Sequence, residues 1–193
     1  MHRADLQRLA WFALFVALVN AADLASTYLV SPDLAAEWNV LERWLGLGWA
    51  GLVAAKALGG ALAVVAYAFY LARRADCYPA PGADMAAFRR AMAFGDGSLA
   101  DDARHRLRLL VHLGYFWAAM QPLVLWVAID NLLLSVGWFF PLRQQTELGY
   151  HLLQSAVIGW VAMARFYRAN YGLYRALPKR AVARARVRAR QTV

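Results

Sequence analysis

Cysteine and acidic side chains are scarce in this chain of 193 residues. Cys77 is the single cysteine, so an intrachain disulfide, a CxxC pair and a thiolate metal centre are excluded. Aspartate and glutamate together number 12, against 21 lysines and arginines. The sequence also lacks a nucleophile elbow, a phosphate-binding loop and a zinc-ligand motif. No motif therefore favours an enzyme, and we predict no cofactor and no metal.

Apolar side chains dominate the composition. They make up 62% of the chain, which contains eight tryptophans and has a mean hydropathy of +0.39. This is too apolar for a soluble domain and predicts a membrane-embedded protein. The net charge of +9 is typical either of nucleic-acid binding or of the cytoplasmic side of a membrane protein. The positions of the charges along the chain decide between these two classes.

Four apolar runs are long enough to cross a hydrocarbon core of about 30 Å as helices. They cover about 10–30, 49–71, 109–134 and 150–167. We therefore predict an all-α integral membrane four-helix bundle with one membrane domain at 1–175, a central loop at 72–108 and a basic tail at 176–193. Pro122 is expected to kink the third span.

The beginning of the chain allows a second interpretation. Arg3 and Arg8 precede the apolar run, and Val19-Asn20-Ala21 resembles a small-residue cleavage site, so the segment has features of a signal peptide. Apolar character continues past that site to Val30, which favours an uncleaved first span.

Two short amphipathic helices are predicted between the spans. Ser31-Pro32-Asp33 has a capping serine, a first-turn proline and an acidic residue near the positive end of the helix dipole. The helix that follows is expected to lie on the outer interface, with Trp38 and Trp44 among the lipid headgroups. The second is expected at 84–94, within the central loop.

Lysine and arginine are distributed very unevenly. The segment before the first span has two, the loop 72–108 has seven and the segment from Arg168 onward has eight, so 17 of the 21 fall on one side of a four-span arrangement. By the positive-inside rule, both termini and the central loop are predicted to be cytoplasmic. The expected location is the bacterial inner (cytoplasmic) membrane.

Ionisable and polar side chains interrupt the first two spans. Asn20, Asp23 and Thr27 are three and four residues apart, so they share one face of a helix. Lys56 lies in the second span at about the same depth as Asp23, roughly 10 Å from the outer end. An ion pair between them can be a structural lock between helices or a site for an ion, proton or polar solute.

These positions carry a resemblance to a known family. Asp23, Ser26-Thr27, Glu37-Trp38-Asn39 and Lys56 are similar to the pattern Asp, Thr, Glu-x-Asn-Pro, Lys of a bacterial and archaeal family of small multi-span membrane proteins, a domain of unknown function. The match covers about residues 20–60, and Val40 stands where the pattern usually has proline. The resemblance implies that Glu37 and Asn39 belong with Asp23 and Lys56, with Glu37 folding over Lys56 from the outer interface.

The histidines and a nearby acidic residue offer weaker alternatives. His112 is predicted near the cytoplasmic end of span three and His151 near the outer end of span four, so they are too far apart to share a haem. Asp130 lies at the level of His151, which predicts an interhelical hydrogen bond or, alternatively, a proton relay. Asp101 and His105 have a metal-ligand spacing, but first-turn acids beside a helix dipole and flanking arginines explain them better.

The basic tail is predicted to bind anionic lipid. It contains six basic residues after Pro178: Lys179, Arg180, Arg184, Arg186, Arg188 and Arg190. Each contributes about 1 kcal/mol near an anionic surface. Aromatic residues are missing from this tail, so nucleic acid is not the favoured partner.

The sequence favours a non-enzymatic integral membrane component that binds a partner protein or lipid and supports a larger membrane complex. It would act as a homo-oligomer or as a subunit of such a complex. The alternative is a small oligomeric carrier or channel for an ion or polar solute that uses Asp23 and Lys56.

Overall fold

The computed structural model is all-helical over the residues that it describes, 3–34, 46, 48–95, 102–137 and 147–177. The helices are α1 (Arg3–Val30), α2 (Gly48–Arg73), α3 (Met85–Phe94), α4 (Asp102–Ala119), α5 (Gln121–Ser135) and α6 (Glu147–Ala176). A 3-10 turn at Arg74–Cys77 continues α2. The predicted all-α class is thus confirmed for this part of the chain.

Three helical stretches within the described residues are long and apolar enough to cross a membrane. They are Arg3–Val30, Gly48–Cys77 and His105–Ser135, the last combining α4 with α5. Helix α6 contains the predicted fourth span and has 30 residues, but it is not among these three. A protein of the membrane class is therefore supported by length and composition, and the fourth crossing stays a prediction.

The third apolar stretch is broken where proline was expected to kink it. Helix α4 ends at Ala119, and α5 begins at Gln121, immediately before Pro122. Proline has no backbone N–H, so it cannot continue the helical hydrogen-bond ladder. The Leu123 N–H instead donates to the Met120 carbonyl at 2.9 Å, a tighter turn. The break brings the side chain of Gln121 into the protein, where it is buried.

Helix α1 lies between α2 and α5, while α4 packs against α2 and α6 packs against α4. Two glycines permit close helix contacts. A Cβ on Gly60 would lie 3.1 Å from Val16 Cγ1 of α1, and one on Gly114 would lie 2.6 Å from the Ala66 carbonyl oxygen of α2. Small residues at such crossings let helix backbones approach in an apolar solvent, where van der Waals packing drives association.

The short helix in the central loop forms as predicted. Asp84 caps it, because its carboxylate accepts a hydrogen bond from the Ala87 N–H at 2.7 Å. Phe88 and Met92 are fully buried on its inner face, while Arg89 and Arg90 are exposed. The helix therefore closes one end of the bundle with its apolar side and presents arginines outward.

Two predicted features fall largely outside the described residues. Of the segment predicted to form the outer interfacial helix, with Trp38 and Trp44, only the turn at 31–34 and Gly46 are described. The basic tail beyond residue 177 also lies outside them. These features stay predictions.

Candidate functional site

Asp23 of α1 and Lys56 of α2 are in direct contact. The Lys56 ammonium forms an ion pair with Asp23 Oδ2. The Asp23 side chain is 2% exposed and the Lys56 side chain 25% exposed, so the carboxylate is enclosed and the ammonium reaches the edge of the helix interface. Lys56 lies eight residues from the start of α2, about 12 Å along its axis. The ion pair thus neutralises both charges at the contact between two apolar helices.

Helix α5 supplies a further polar residue on the other side of α1. The Asn131 side-chain amide donates to Ser26 Oγ and to Thr27 Oγ1, each at 3.5 Å. Ser26 in turn donates to the Asp23 backbone carbonyl at 2.9 Å. Asn20, by contrast, donates to the Val16 carbonyl at 2.8 Å in its own helix. The polar residues that were predicted to share one face of α1 therefore contact two different helices. Thr27 contacts α5, and Asp23 contacts α2.

Asn131 and Gln121 were not recognised from the sequence. Each is a polar residue in an apolar span, Asn131 beside Asp130 and Gln121 beside Pro122. The same signal that identified Asp23 and Lys56 was therefore present. Asp130 is buried on α5, at 3% exposed.

A groove of about 400 Å³ lies beside Lys56, at the break between α4 and α5. We call it the polar groove. Its lining comprises Asn20, Ala55, Lys56, Gly59, Gly60, Phe116, Trp117, Met120, Gln121, Leu123 and Val124. Asn20, Lys56 and Gln121 are its polar members, and the rest of the lining is apolar or aromatic. Asp23 is not part of the lining, so the groove exposes the cation of the pair and not the anion.

Two more grooves adjoin this one. A groove of about 240 Å³ lies between α1 and α2 and also has Asn20, Lys56 and Gly60 in its lining. A third, of about 410 Å³, follows the contact between α2 and α4. We call it the apolar groove, and it is lined by Leu62, Val65, Ala66, Phe69, Leu110, Leu113, Gly114 and Trp117. Trp117 is common to the polar and apolar grooves.

Several predicted site residues lie outside the described part of the chain. They are Glu37 and Asn39, the side chain of His151, and the tail residues Lys179, Arg180, Arg184, Arg186, Arg188 and Arg190. The predicted cover of Lys56 by Glu37, the predicted contact between Asp130 and His151, and the lipid contacts of the tail therefore stay predictions.

The remaining histidine candidates have ordinary surroundings. The His112 ring packs on Phe166 at 4.6 Å, and its Nδ1 lies 2.8 Å from the Arg108 carbonyl. His105 is exposed on α4, and Asp101 lies outside the described residues. Among those that are described, three or more His, Cys, Asp or Glu side chains do not gather in any one place.

A second polar network, which the sequence analysis did not anticipate, lies at the opposite end of the bundle. Asn170 of α6 is fully buried and accepts a hydrogen bond from the Tyr78 hydroxyl at 3.0 Å. Its amide donates to the Tyr70 hydroxyl at 3.0 Å and to the Phe166 carbonyl at 2.8 Å. Phe88 packs on Tyr78 at 5.7 Å. We call these five residues the Asn170 cluster.

The surroundings of the Asn170 cluster tie several chain segments together. The Tyr174 hydroxyl donates to the Ala80 carbonyl at 2.5 Å and accepts from the Ala83 N–H at 2.9 Å. Arg74 donates to Asp5 at 2.7 Å, which joins the start of α1 to the 3-10 turn that follows α2. Burial raises the pKa of the Tyr78 phenol, with the neighbouring Tyr70 adding to the effect. This end of the bundle is thus a hydrogen-bonded aromatic core.

No protein-family model, curated protein or solved structure matches the chain. The resemblance over residues 20–60 therefore stays a prediction, and the geometry of the chain itself carries the functional proposal.

Proposed function

We propose that the protein is a non-enzymatic integral membrane component that binds a partner lipid or protein and supports a larger membrane complex. The observation that carries this proposal is the contact between Lys56 and the enclosed carboxylate of Asp23. A charge in hydrocarbon is stable when it is paired, and this pair needs no ligand to satisfy it. The pair then acts as a lock between α1 and α2.

The grooves beside the lock support a binding role. The polar and apolar grooves are lined mainly by apolar side chains, and many neighbouring side chains are exposed on the surface of the bundle, including Leu62 and Val65. Exposed apolar faces of this kind fit lipid chains or partner helices within a membrane. A homo-oligomer or a complex with other subunits would cover them.

A four-span arrangement in the bacterial inner membrane accompanies this proposal. The length of helix α6 supports a fourth crossing. Tyr150 accepts a hydrogen bond from Trp126 of α5, and Tyr174, 24 residues later, contacts the loop before α3. That separation is about 36 Å of helix, enough to cross the hydrocarbon core. In this arrangement the interfacial helix lies on the outer side and both termini lie in the cytoplasm, where the basic tail would meet anionic lipid.

Native purification tests the proposal. The full chain is extracted from membranes in a mild detergent, and co-purifying proteins and lipids are identified by mass spectrometry. The double variant Asp23→Asn/Lys56→Met should retain the same partner proteins, because an amide and a thioether can occupy a structural interface without charge. Recovery of the wild-type chain as a bare monomer, with neither a protein nor a lipid bound, would contradict the proposal.

The break at Pro122 favours one alternative, a small oligomeric carrier or channel for an ion or polar solute. Discontinuous helices near the middle of a membrane form substrate sites in many transporters. Here the break places Gln121 in the same groove as Lys56 and Asn20. Reconstitution in vesicles with measurement of ion or solute flux separates the two functions. Flux that the Asp23→Asn/Lys56→Met variant abolishes, with assembly intact, would favour the carrier.

A further inference from the structure

The polar and apolar grooves follow the same contact between α2 and α4. Lys56 and Gln121 lie at one end, and the lining then becomes wholly apolar as α2 proceeds from Leu62 to Phe69. Trp117 borders both parts. The combined surface therefore has hydrogen-bonding groups at one end and room for an apolar chain at the other.

The polar end offers hydrogen-bond donors well inside the apolar layer. The Lys56 ammonium has three N–H groups and is partly exposed even with Asp23 in contact. The Gln121 amide supplies two more donor hydrogens. The rings of Phe116 and Trp117 line the same groove. A matching ligand would carry carbonyl acceptors on a flat ring and a long apolar tail.

We infer that these grooves bind a membrane quinone, with its ring in the polar groove and its prenyl tail along the apolar groove. This inference rests on the proposed function and names the lipid partner. One quinone carbonyl accepts hydrogen bonds from both Lys56 and Gln121, and the ring stacks on an aromatic neighbour. The tail replaces bulk lipid against Leu62, Val65 and Phe69.

Depth favours a quinone over a phospholipid. Lys56 lies about 12 Å from the start of α2, whereas the ester carbonyls of a phospholipid stay near the boundary of the hydrocarbon layer. A bound phospholipid would therefore place its acyl chain against Lys56 and Gln121. Their N–H groups would then lack acceptors, which makes the binding free energy less favourable for each unpaired polar group. A quinone head can enter the apolar layer.

Size favours a quinone over a transmembrane helix. Volumes of about 400 and 410 Å³ are in the range of small-molecule sites. A helix is about 10 Å across and needs a longer cleft. Within the apolar groove, α2 and α4 approach closely at Ala66 and Gly114, which both line it, so a helix cannot insert between them there.

Gly59 offers a way to fill the polar groove without disturbing the helices. It lines the groove, and a Cβ built on it meets no other atom within 4 Å. Gly59→Leu should therefore fold and obstruct the ring site. Gly172→Leu is a matched control, because Gly172 is also helical with open space around its Cβ but lies at the far end of α6. Gln121→Leu removes a donor instead of adding bulk.

Binding is measured with the full-length protein in phosphatidylcholine vesicles that contain ubiquinone or menaquinone. Quenching of tryptophan fluorescence should saturate for the wild type and for Gly172→Leu. Gly59→Leu and Gln121→Leu should each weaken binding by about tenfold or more, as expected for blocked access or a lost hydrogen bond in an apolar site. Equal quenching in all four proteins would overturn the inference.

Lipid extracted from the protein purified out of native membranes completes the test. Enrichment of a quinone that Gly59→Leu loses supports the inference. Retention of a phospholipid or fatty acid in its place overturns the quinone assignment and leaves the proposed function intact. Absence of any bound lipid or partner protein would overturn both.

Discussion

The Tyr78 hydroxyl donates a hydrogen bond to the side-chain oxygen of Asn170 at 3.0 Å, across 92 positions of sequence. The same Asn170 amide also donates to Tyr70 and to the Phe166 carbonyl. The side chain thus joins the end of α2, the following turn and α6 in one network. Helix α6 is held at this end by buried polar contacts as well as by aromatic packing.

Replacing Asn170 by alanine should destabilise the protein by about 2–3 kcal/mol. The change leaves two buried tyrosine hydroxyls without their amide partner, and an unsatisfied buried polar group costs more than the net value of one hydrogen bond. Thermal unfolding of the purified variant in detergent measures the loss. Arg168→Ala, at an exposed position nearby on α6, serves as the control and should change stability little. An unchanged melting temperature for Asn170→Ala would contradict the role of the network.

Alkaline pH should weaken the same end of the bundle through Tyr78. Its pKa is raised by burial above the ordinary value near 10, because the folded protein favours the neutral phenol. The stabilising contribution is therefore complete below about pH 10 and is lost as the pH rises towards the folded pKa. Tyr78→Phe should be about 1 kcal/mol less stable at neutral pH and should lose less stability above pH 10. Parallel stability curves for the two proteins would show that Tyr78 does not titrate on unfolding.

Sequence reasoning predicted the parts of the fold that depend on local signals. Apolar runs located the long helices, the pattern at 84–94 located α3, and Pro122 located the break between α4 and α5. The Asn170 cluster had no comparable signal, because its members come from four separate segments and an isolated asparagine in α6 has no periodic pattern. Tyrosines recur near the ends of α2 and α6, and this was the one available hint.

The candidate site was partly predictable for the same reason. An ionisable residue in hydrocarbon requires a partner, and equal depth made Lys56 the natural partner of Asp23. The depth of a residue along its helix does not specify which neighbouring helix its side chain contacts. The sequence therefore could not show that Asn131 meets Thr27, or that Gln121 enters the groove beside Lys56.

Replacing one member of the Asp23 and Lys56 pair should lower the free energy of unfolding more than replacing both. Lys56→Met leaves an enclosed carboxylate unpaired, at a cost of about 3–5 kcal/mol, or less if the carboxylate takes up a proton. Asp23→Asn/Lys56→Met leaves no charge behind and should recover most of that stability. A double-mutant cycle of unfolding free energies in detergent gives the coupling. Purely additive losses would mean that the contact contributes nothing as a pair.

Adding a single methyl group at Gly114 should separate α2 from α4. The new Cβ would lie 2.6 Å from the Ala66 carbonyl oxygen, and backbone atoms cannot rotate away as a side chain can. Gly114→Ala is therefore expected to destabilise by about 1–3 kcal/mol, the usual cost of overpacking. Gly172→Ala, where the Cβ has open space, should be neutral or slightly stabilising, because alanine favours a helix. Equal melting temperatures for both variants would place α2 and α4 farther apart than described.

Single-cysteine labelling decides whether α6 crosses the membrane. Cys77 is buried, and Cys77→Ser gives a cysteine-free background into which exposed positions are introduced one at a time. If α6 crosses, Arg3→Cys and Arg175→Cys should react from the same side, while Val136→Cys, at the far end of α5, should react with an impermeant maleimide from the other. Arg90→Cys on α3 is the internal control for the arginine-rich side, because α3 packs against α6 near Tyr174. Labelling of Arg175→Cys together with Val136→Cys would contradict four spans and leave the three apolar stretches as the crossings.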